Sequence, residues 1–184
     1  MIRIDRTRTP ADLVPKIDRL FTLSAGKIRS IEQASRPGDG APVFTVEGRY
    51  TARGWTEWTE GFQYGSSLLQ FDATGEREFL ELGRERTLTR MAPHLTHVGV
   101  HDHGFNNVST YGNLRRLMLE GKIARDQGEL DYTEIALKAS GAVQAARHAI
   151  DRPRPADSQH DEPRHDRRDA HGQHAQRGGD RAMP

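Results

Sequence analysis

The chain reads as an all-α protein assembled from αα-hairpins. Three observations predict this class. Apolar side chains recur at helical spacing in about five separate stretches, breaks carrying glycine or proline separate those stretches, and no βα pattern is visible.

The first stretch starts at Thr9-Pro10-Ala11-Asp12. A hydroxyl residue, a proline and an acid in that order suit the cap, the first helical position and the first turn of a helix. Leu13, Ile17, Leu20, Ile28 and Ile31 carry the periodicity to about Gln33, and Ser35–Gly40, with Pro37 and two glycines, ends it. Pro42–Tyr50 mixes Val43, Phe44 and Val46 with Gly48, which suits either a short strand or an extended loop.

Helical spacing resumes at Thr59 with Phe62, Leu68, Leu69 and Phe71, breaks at Gly75, and restarts over Glu76–Met91 with Phe79, Leu80, Leu82 and Leu88. Pro93 follows, as expected beyond a helix end. Two helices joined through Thr74-Gly75 form an αα-hairpin. Phe105–Glu120 reads as a further helix and Gly121–Gly128 as a connection. Asp131 to about His148 completes the set, with Tyr132, Ile135, Ala139, Val143 and Ala146 along one face.

Residues 151–184 contain no Leu, Ile, Val, Phe, Tyr or Trp. Such a segment buries too little apolar surface to offset the entropy of ordering it, so a disordered polar tail is expected. Its Arg, Pro, Ala and Gly bias also fits a GC-rich gene read out of frame. The tail histidines lack the spacing of metal ligands on a helix. The division expected is therefore 1–150 as the folded part and 151–184 as the tail.

A net charge of +1 offers no electrostatic case for nucleic acid or an anionic membrane. The absence of cysteine excludes disulfides, thiolate metal sites and a cysteine nucleophile. Met1–Arg8 lacks the apolar run of a signal peptide, which makes a cytoplasmic location the default. No phosphate-binding glycine loop or serine-nucleophile elbow is present.

Three motifs stand out. They are Trp55-Thr56-Glu57-Trp58-Thr59-Glu60-Gly61-Phe62, then Thr74-Gly75-Glu76-Arg77-Glu78-Phe79, then His101-Asp102-His103-Gly104-Phe105. Asp102, before a predicted helix, suits either an N-cap or a functional carboxylate. Trp58 suits either core packing beside Phe62 or a sugar platform, since an indole face packs on the C–H face of a pyranose. His101 could meet a substrate carboxylate when protonated, or make a structural hydrogen bond. His94, His97, His101, Asp102 and His103 also offer metal-ligand chemistry, which would suit a metal-dependent hydrolase.

In that order the three motifs resemble the unsaturated glucuronyl hydrolases, glycoside hydrolase family 88. The resemblance covers about Pro10–Arg147 and is strongest over 55–105. It implies an (α/α)6 barrel, and hydration of the C4=C5 double bond of an unsaturated uronic acid at the end of an oligosaccharide. It implies that Asp102 is a catalytic aspartate, within the family's His-Asp-x-Gly-Phe setting, and that Trp58 and His101 bind the sugar. Glu60 stands where the family often has aspartate. No segment matches the region of the family's second catalytic acid. No metal or cofactor is implied.

A complete (α/α)6 barrel needs six hairpins, and this chain supplies fewer than half. Residues 1–150 are thus expected to form a partial barrel, the N-terminal portion of a glycosidase-like domain, inactive alone and self-associating through exposed apolar helix faces. The alternative from another class is a small helical interaction module without catalysis.

Overall fold

The computed structural model describes residues 7–35, 40–52, 58–99 and 101–151, all of them within the unit Met1–Arg152. Trp55 and Glu57 of the first motif, and the tail from Arg152 onward, lie outside the described residues. The protein is mostly helical. A 3-10 turn, Pro10–Leu13, leads into α1 (Val14–Ala34), followed by strands β1 (Pro42–Val46) and β2 (Arg49–Ala52). Helices α2 (Thr59–Thr74) and α3 (Arg77–Arg90) precede a second 3-10 turn at Ala92–Leu95. A π-helix (Gly104–Gly112), α4 (Asn113–Leu119) and α5 (Gln127–Asp151) complete the order. No described helix is long and apolar enough to cross a membrane.

The start of α1 follows its sequence signature. Asp12 Oδ2 accepts from the Thr9 N–H at 2.7 Å and from the Thr9 hydroxyl at 2.9 Å, so this acid caps the first turn. The ambiguous 42–50 segment is strand β1, a two-residue turn at Glu47-Gly48 and the start of β2. Strand β1 pairs antiparallel with β2, Phe44 opposite Thr51 and Val46 opposite Arg49. The tight turn between them places Glu47 at φ 51° and Gly48 at φ 75°. Two consecutive positive φ values give the backbone twist that two-residue hairpins need. The expectation of a protein without a sheet is corrected to this extent.

The α2–α3 hairpin forms as its sequence suggests. Gly75 adopts φ 74°, and its N–H closes α2 on the Phe71 carbonyl at 2.7 Å. Leu68, Phe71, Phe79 and Leu80 from this hairpin meet Leu114, Leu117 and Met118 of α4, Leu130 of α5, and Ala25 and Ile28 of α1 in the main core. A second cluster joins Tyr64, Met91, Tyr111 and Ala136.

Two segments depart from the sequence reading. Helix α5 begins at Gln127 rather than Asp131 because Asp126 caps it, its Oδ1 accepting from the Glu129 N–H at 2.7 Å. The expected 105–120 helix is π over Gly104–Gly112 and α only from Asn113. π-Helices are rare and concentrate at functional sites.

That π-helix lies backbone to backbone against α2. A Cβ at Gly61 would stand 2.3 Å from both Asn106 Cα and the Phe105 carbonyl oxygen, and one at Gly65 would stand 2.5 Å from the Ser109 carbonyl oxygen. Gly61 and Gly65 are one helical turn apart, so both present bare backbone to the same neighbour. Replacing Gly61 by Ala should therefore destabilise the protein by about 3 kcal/mol in thermal unfolding, because backbone cannot yield as a side chain does. Gly26, mid-helix in α1, has nothing within 4 Å of its would-be Cβ. Gly26→Ala should raise stability by about 0.5–1 kcal/mol in the same measurement.

Candidate functional site

The close approach of α2 and the π-helix brings two groups of side chains together. Outside lies an aromatic cluster. Trp58, at the start of α2, meets Phe62 one turn on, with ring centroids 5.6 Å apart and planes nearly perpendicular. Phe105, second in the π-helix, packs on both, 5.8 Å from Trp58 and 5.4 Å from Phe62. Such pairs contribute about 0.5–1.5 kcal/mol beyond their burial. All three rings nevertheless stay open to solvent, 41%, 42% and 48% exposed. The core-tryptophan alternative therefore does not describe Trp58, which lies on the surface in an aromatic patch.

Asp102 occupies the turn one residue before the N-cap of the π-helix. Its carbonyl accepts the Asn106 N–H at 3.1 Å, and its carboxylate, 17% exposed, lies 3.4 Å from His101 Nε2. The His101 side chain is 84% exposed. Asp102 thus holds a shielded carboxylate beside a solvent-exposed histidine, three residues before Phe105.

Inside lies a polar network that sequence reasoning did not single out. Asn106 Oδ1 accepts the Gly61 N–H at 3.0 Å, which supplies α2 with a cap from another element, since Trp58 provides none. A backbone N–H only donates, so this bond fixes the Asn106 amide and turns Nδ2 toward His94 Nδ1, 3.1 Å away. His94 Nδ1 is then an acceptor. The ring proton sits on Nε2 and is donated to Glu60 Oε2 at 2.8 Å. The Tyr64 hydroxyl donates to the other Glu60 oxygen at 3.3 Å.

The neighbouring Asn107 organises a second branch. Its Nδ2 donates to the His94 carbonyl at 3.2 Å and to Ser140 Oγ at 2.9 Å. The Ser140 hydroxyl reaches His103 Nδ1 at 2.9 Å, while His103 Nε2 lies 2.6 Å from the His97 carbonyl, which can only accept. His103 therefore carries its proton on Nε2, and Ser140 donates to Nδ1. This Ser-His pair is 5% and 3% exposed, so it ties α5 to the π-helix rather than offering a nucleophile to solvent.

The 94–103 histidine cluster does not converge. His94 and His103 are buried with their rings committed as above, whereas His101 points to solvent. Among the described residues no group of three His, Cys, Asp or Glu stands close enough to hold a metal ion. Asn106-Asn107, two poor helix formers on an otherwise regular apolar stretch, was the available signal for the network. Read as a glycosylation sequon, Asn107-Val108-Ser109 would need an exposed side chain. Asn107 is fully buried.

The arrangement defines a helical protein with an open aromatic face beside a shielded carboxylate, both set by the π-helix. No protein-family model, curated protein or solved structure matches the chain.

Burial, and then the Glu60 carboxylate, push the Tyr64 hydroxyl up to about 12 from 10.0. Below pH 10 the folded and unfolded chains both keep this proton. Between about pH 10 and 12 the unfolded chain loses it first, so stability falls as pH rises, by on the order of 2 kcal/mol. Urea unfolding across this window should show that slope, and Tyr64→Phe should flatten it. A residual slope belongs to Tyr111, which burial also pushes up.

Proposed function

We propose that this chain binds the terminal unsaturated uronic acid of an oligosaccharide in the manner of the unsaturated glucuronyl hydrolases, and that Asp102 moves protons in hydration of its C4=C5 bond. The observation that carries the reading is the cluster of three solvent-open rings, Trp58, Phe62 and Phe105, with Asp102 three residues before Phe105. Aromatic rings left open together on a surface suit the flat C–H face of a pyranose. His101, exposed beside Asp102, suits the sugar carboxylate when protonated. The α2–α3 hairpin is the unit that an (α/α)6 barrel repeats, which supports a helical barrel as the wider architecture.

The chemistry balances with one carboxyl group changing state. Asp102, protonated, gives its proton to C4 of the enol ether, and water adds at C5. The water's surplus proton returns to the Asp102 carboxylate, and the resulting hemiketal opens to release the sugar partner. A group in this role alternates between its acid and carboxylate forms within one turnover. The family's second acid has no match in this chain.

The test is turnover of an unsaturated uronyl disaccharide, followed by loss of the ultraviolet absorbance of the conjugated double bond. Asp102→Asn should lower kcat at least about 100-fold. Trp58→Ala should raise KM with a smaller change in kcat. Absence of turnover by the wild-type chain, with no change in tryptophan fluorescence on adding the disaccharide, would sink the reading.

A further inference from the structure

The Asn106 amide serves two partners with opposite demands. Its Oδ1 accepts the buried Gly61 N–H at 3.0 Å, and its Nδ2 donates to His94 Nδ1 at 3.1 Å. Gly61 is the third residue of α2, whose Trp58 cap makes no side-chain bond, so Asn106 supplies what that helix start lacks. Asn106 is 1% exposed and His94 3%, so solvent is not at hand to replace either bond.

The arrangement requires a neutral imidazole. When a solvent proton adds to Nδ1, His94 carries N–H groups on both ring nitrogens. Nε2–H stays on Glu60 Oε2 at 2.8 Å, and the new Nδ1–H meets the Asn106 NH2, donor against donor. The amide relieves this by turning over and presenting Oδ1 to the imidazolium. Its NH2 then faces the Gly61 N–H, which only donates, and α2 loses its cap. A charged His94 and a capped α2 therefore exclude each other. His103 is built differently. Its Nδ1 meets the Ser140 hydroxyl at 2.9 Å, and a hydroxyl rotates from donor to acceptor without uncapping a helix.

Charged and titratable groups reach His94 from several elements. Helix α2 brings Glu60 and, bonded to it, Tyr64, on which Arg86 and Arg90 of α3 act in turn. The connection before the π-helix brings His97, His101, Asp102 and His103, the last bonded to the His97 carbonyl. The π-helix itself contains no Asp, Glu, Lys, Arg or His, and on α5 Glu134 and Lys138 pair with each other. The carboxylate directly on the ring is Glu60, so the imidazolium keeps an ionic partner while it breaks with the amide.

We propose that protonation of His94 turns the Asn106 amide and thereby uncaps α2, so that Trp58 and Phe62, carried by the start of that helix, move off Phe105. Acid then opens the aromatic patch while the rest of the fold stays in place. The inference does not rest on the sugar-binding reading, and its experiment contains no sugar.

In the full chain carrying Trp55→Phe, Trp58 is the single tryptophan. Its emission is followed together with the His94 ring nitrogens and the Gly61 amide proton by NMR, from about pH 8 to about pH 5, where unperturbed histidines charge. All three should change with one midpoint. Gly61 moves upfield as it loses its acceptor, Trp58 emission shifts to the red, and the far-ultraviolet helical signal is unchanged. Asn106→Asp should abolish the Gly61 and Trp58 changes, because a carboxylate accepts from Gly61 and from a charged His94 together. His94→Gln, which cannot charge, should abolish them too, whereas His101→Gln should leave them in place. Steady Gly61 and Trp58 signals while His94 charges would overturn the proposal, and this reading needs no substitution in the network. A His94 ring that stays neutral until the helical signal is lost would overturn it as well, as would a transition that survives either His94→Gln or Asn106→Asp.

Discussion

The contact of bare backbone on bare backbone between α2 and the π-helix is the constraint on which the rest depends. Gly61 and Gly65 leave no room for a side chain on that line, and the π-helix occupies the space. Four consequences follow from one geometry. Asn106 comes close enough to cap α2 at Gly61, Glu60 is delivered to His94, and Phe105 is carried onto Trp58 and Phe62. The Asp102 turn, hydrogen-bonded to the Asn106 backbone, is placed at the same end. A longer separation would lose the first bond and with it the orientation of the Asn106 amide, on which the His94 tautomer rests.

The network under this contact is made mostly of neutral groups, and that choice has a physical reason. Neutral amides and imidazoles are less costly to bury than charges, provided each donor finds an acceptor. The carboxylate of this network, Glu60, has bonds to both oxygens. Ion pairs elsewhere join the helices, with the Glu129 carboxylate buried among them. Arg84 grips Glu129 of α5, Arg116 and Lys122 both hold Asp72 of α2, and Arg86 and Arg29 of opposite helices engage Glu32 and Glu76. Each exposed pair is worth little singly. Helix α1 leans on them more than the others do, since only Ala25 and Ile28 of its residues enter the core. Val14, Ile17, Leu20 and Leu23 of this helix are left exposed.

Elements whose information is local were legible in the sequence. Thr9-Pro10-Ala11-Asp12 announced a helix start, which forms with Asp12 bonded to Thr9, and Gly75 announced a break, which the structure makes as a left-handed helix end. Exposed apolar faces were also expected, although from the count of hairpins rather than from α1 itself. What stayed hidden depends on partners distant in the chain. Trp58 could be core or surface until Phe105 was seen to meet it from the π-helix. Asn106 and Asn107 drew no attention as structural residues because their partners, Gly61, His94 and Ser140, lie many residues away. Glu47-Gly48 is a weaker hairpin signal than Asn-Gly, so the sheet could not be separated from a loop. The change of pitch from π to α within one continuous apolar pattern has no signature in spacing that a helical reading would reject.

The aromatic patch and the aliphatic patch are two ends of one feature. Trp58 at the cap of α2, then Phe62, Ser66, Leu69 and Ala73 along it, recur at steps of four, four, three and four, so they form a single flank of that helix. Phe62 and Leu69 are separated by roughly 10 Å along the axis. Chemistry divides the flank. At the first end, rigid rings with perpendicular and tilted planes leave flat faces open, and a carboxylate and a histidine stand nearby. At the second end the side chains are aliphatic, a groove lies between them, and the neighbouring charges, Asp72 and Lys122, are already paired with each other. The same helix flank thus carries open aromatic rings at its start and aliphatic side chains toward its end, and Ser66 marks the boundary between them.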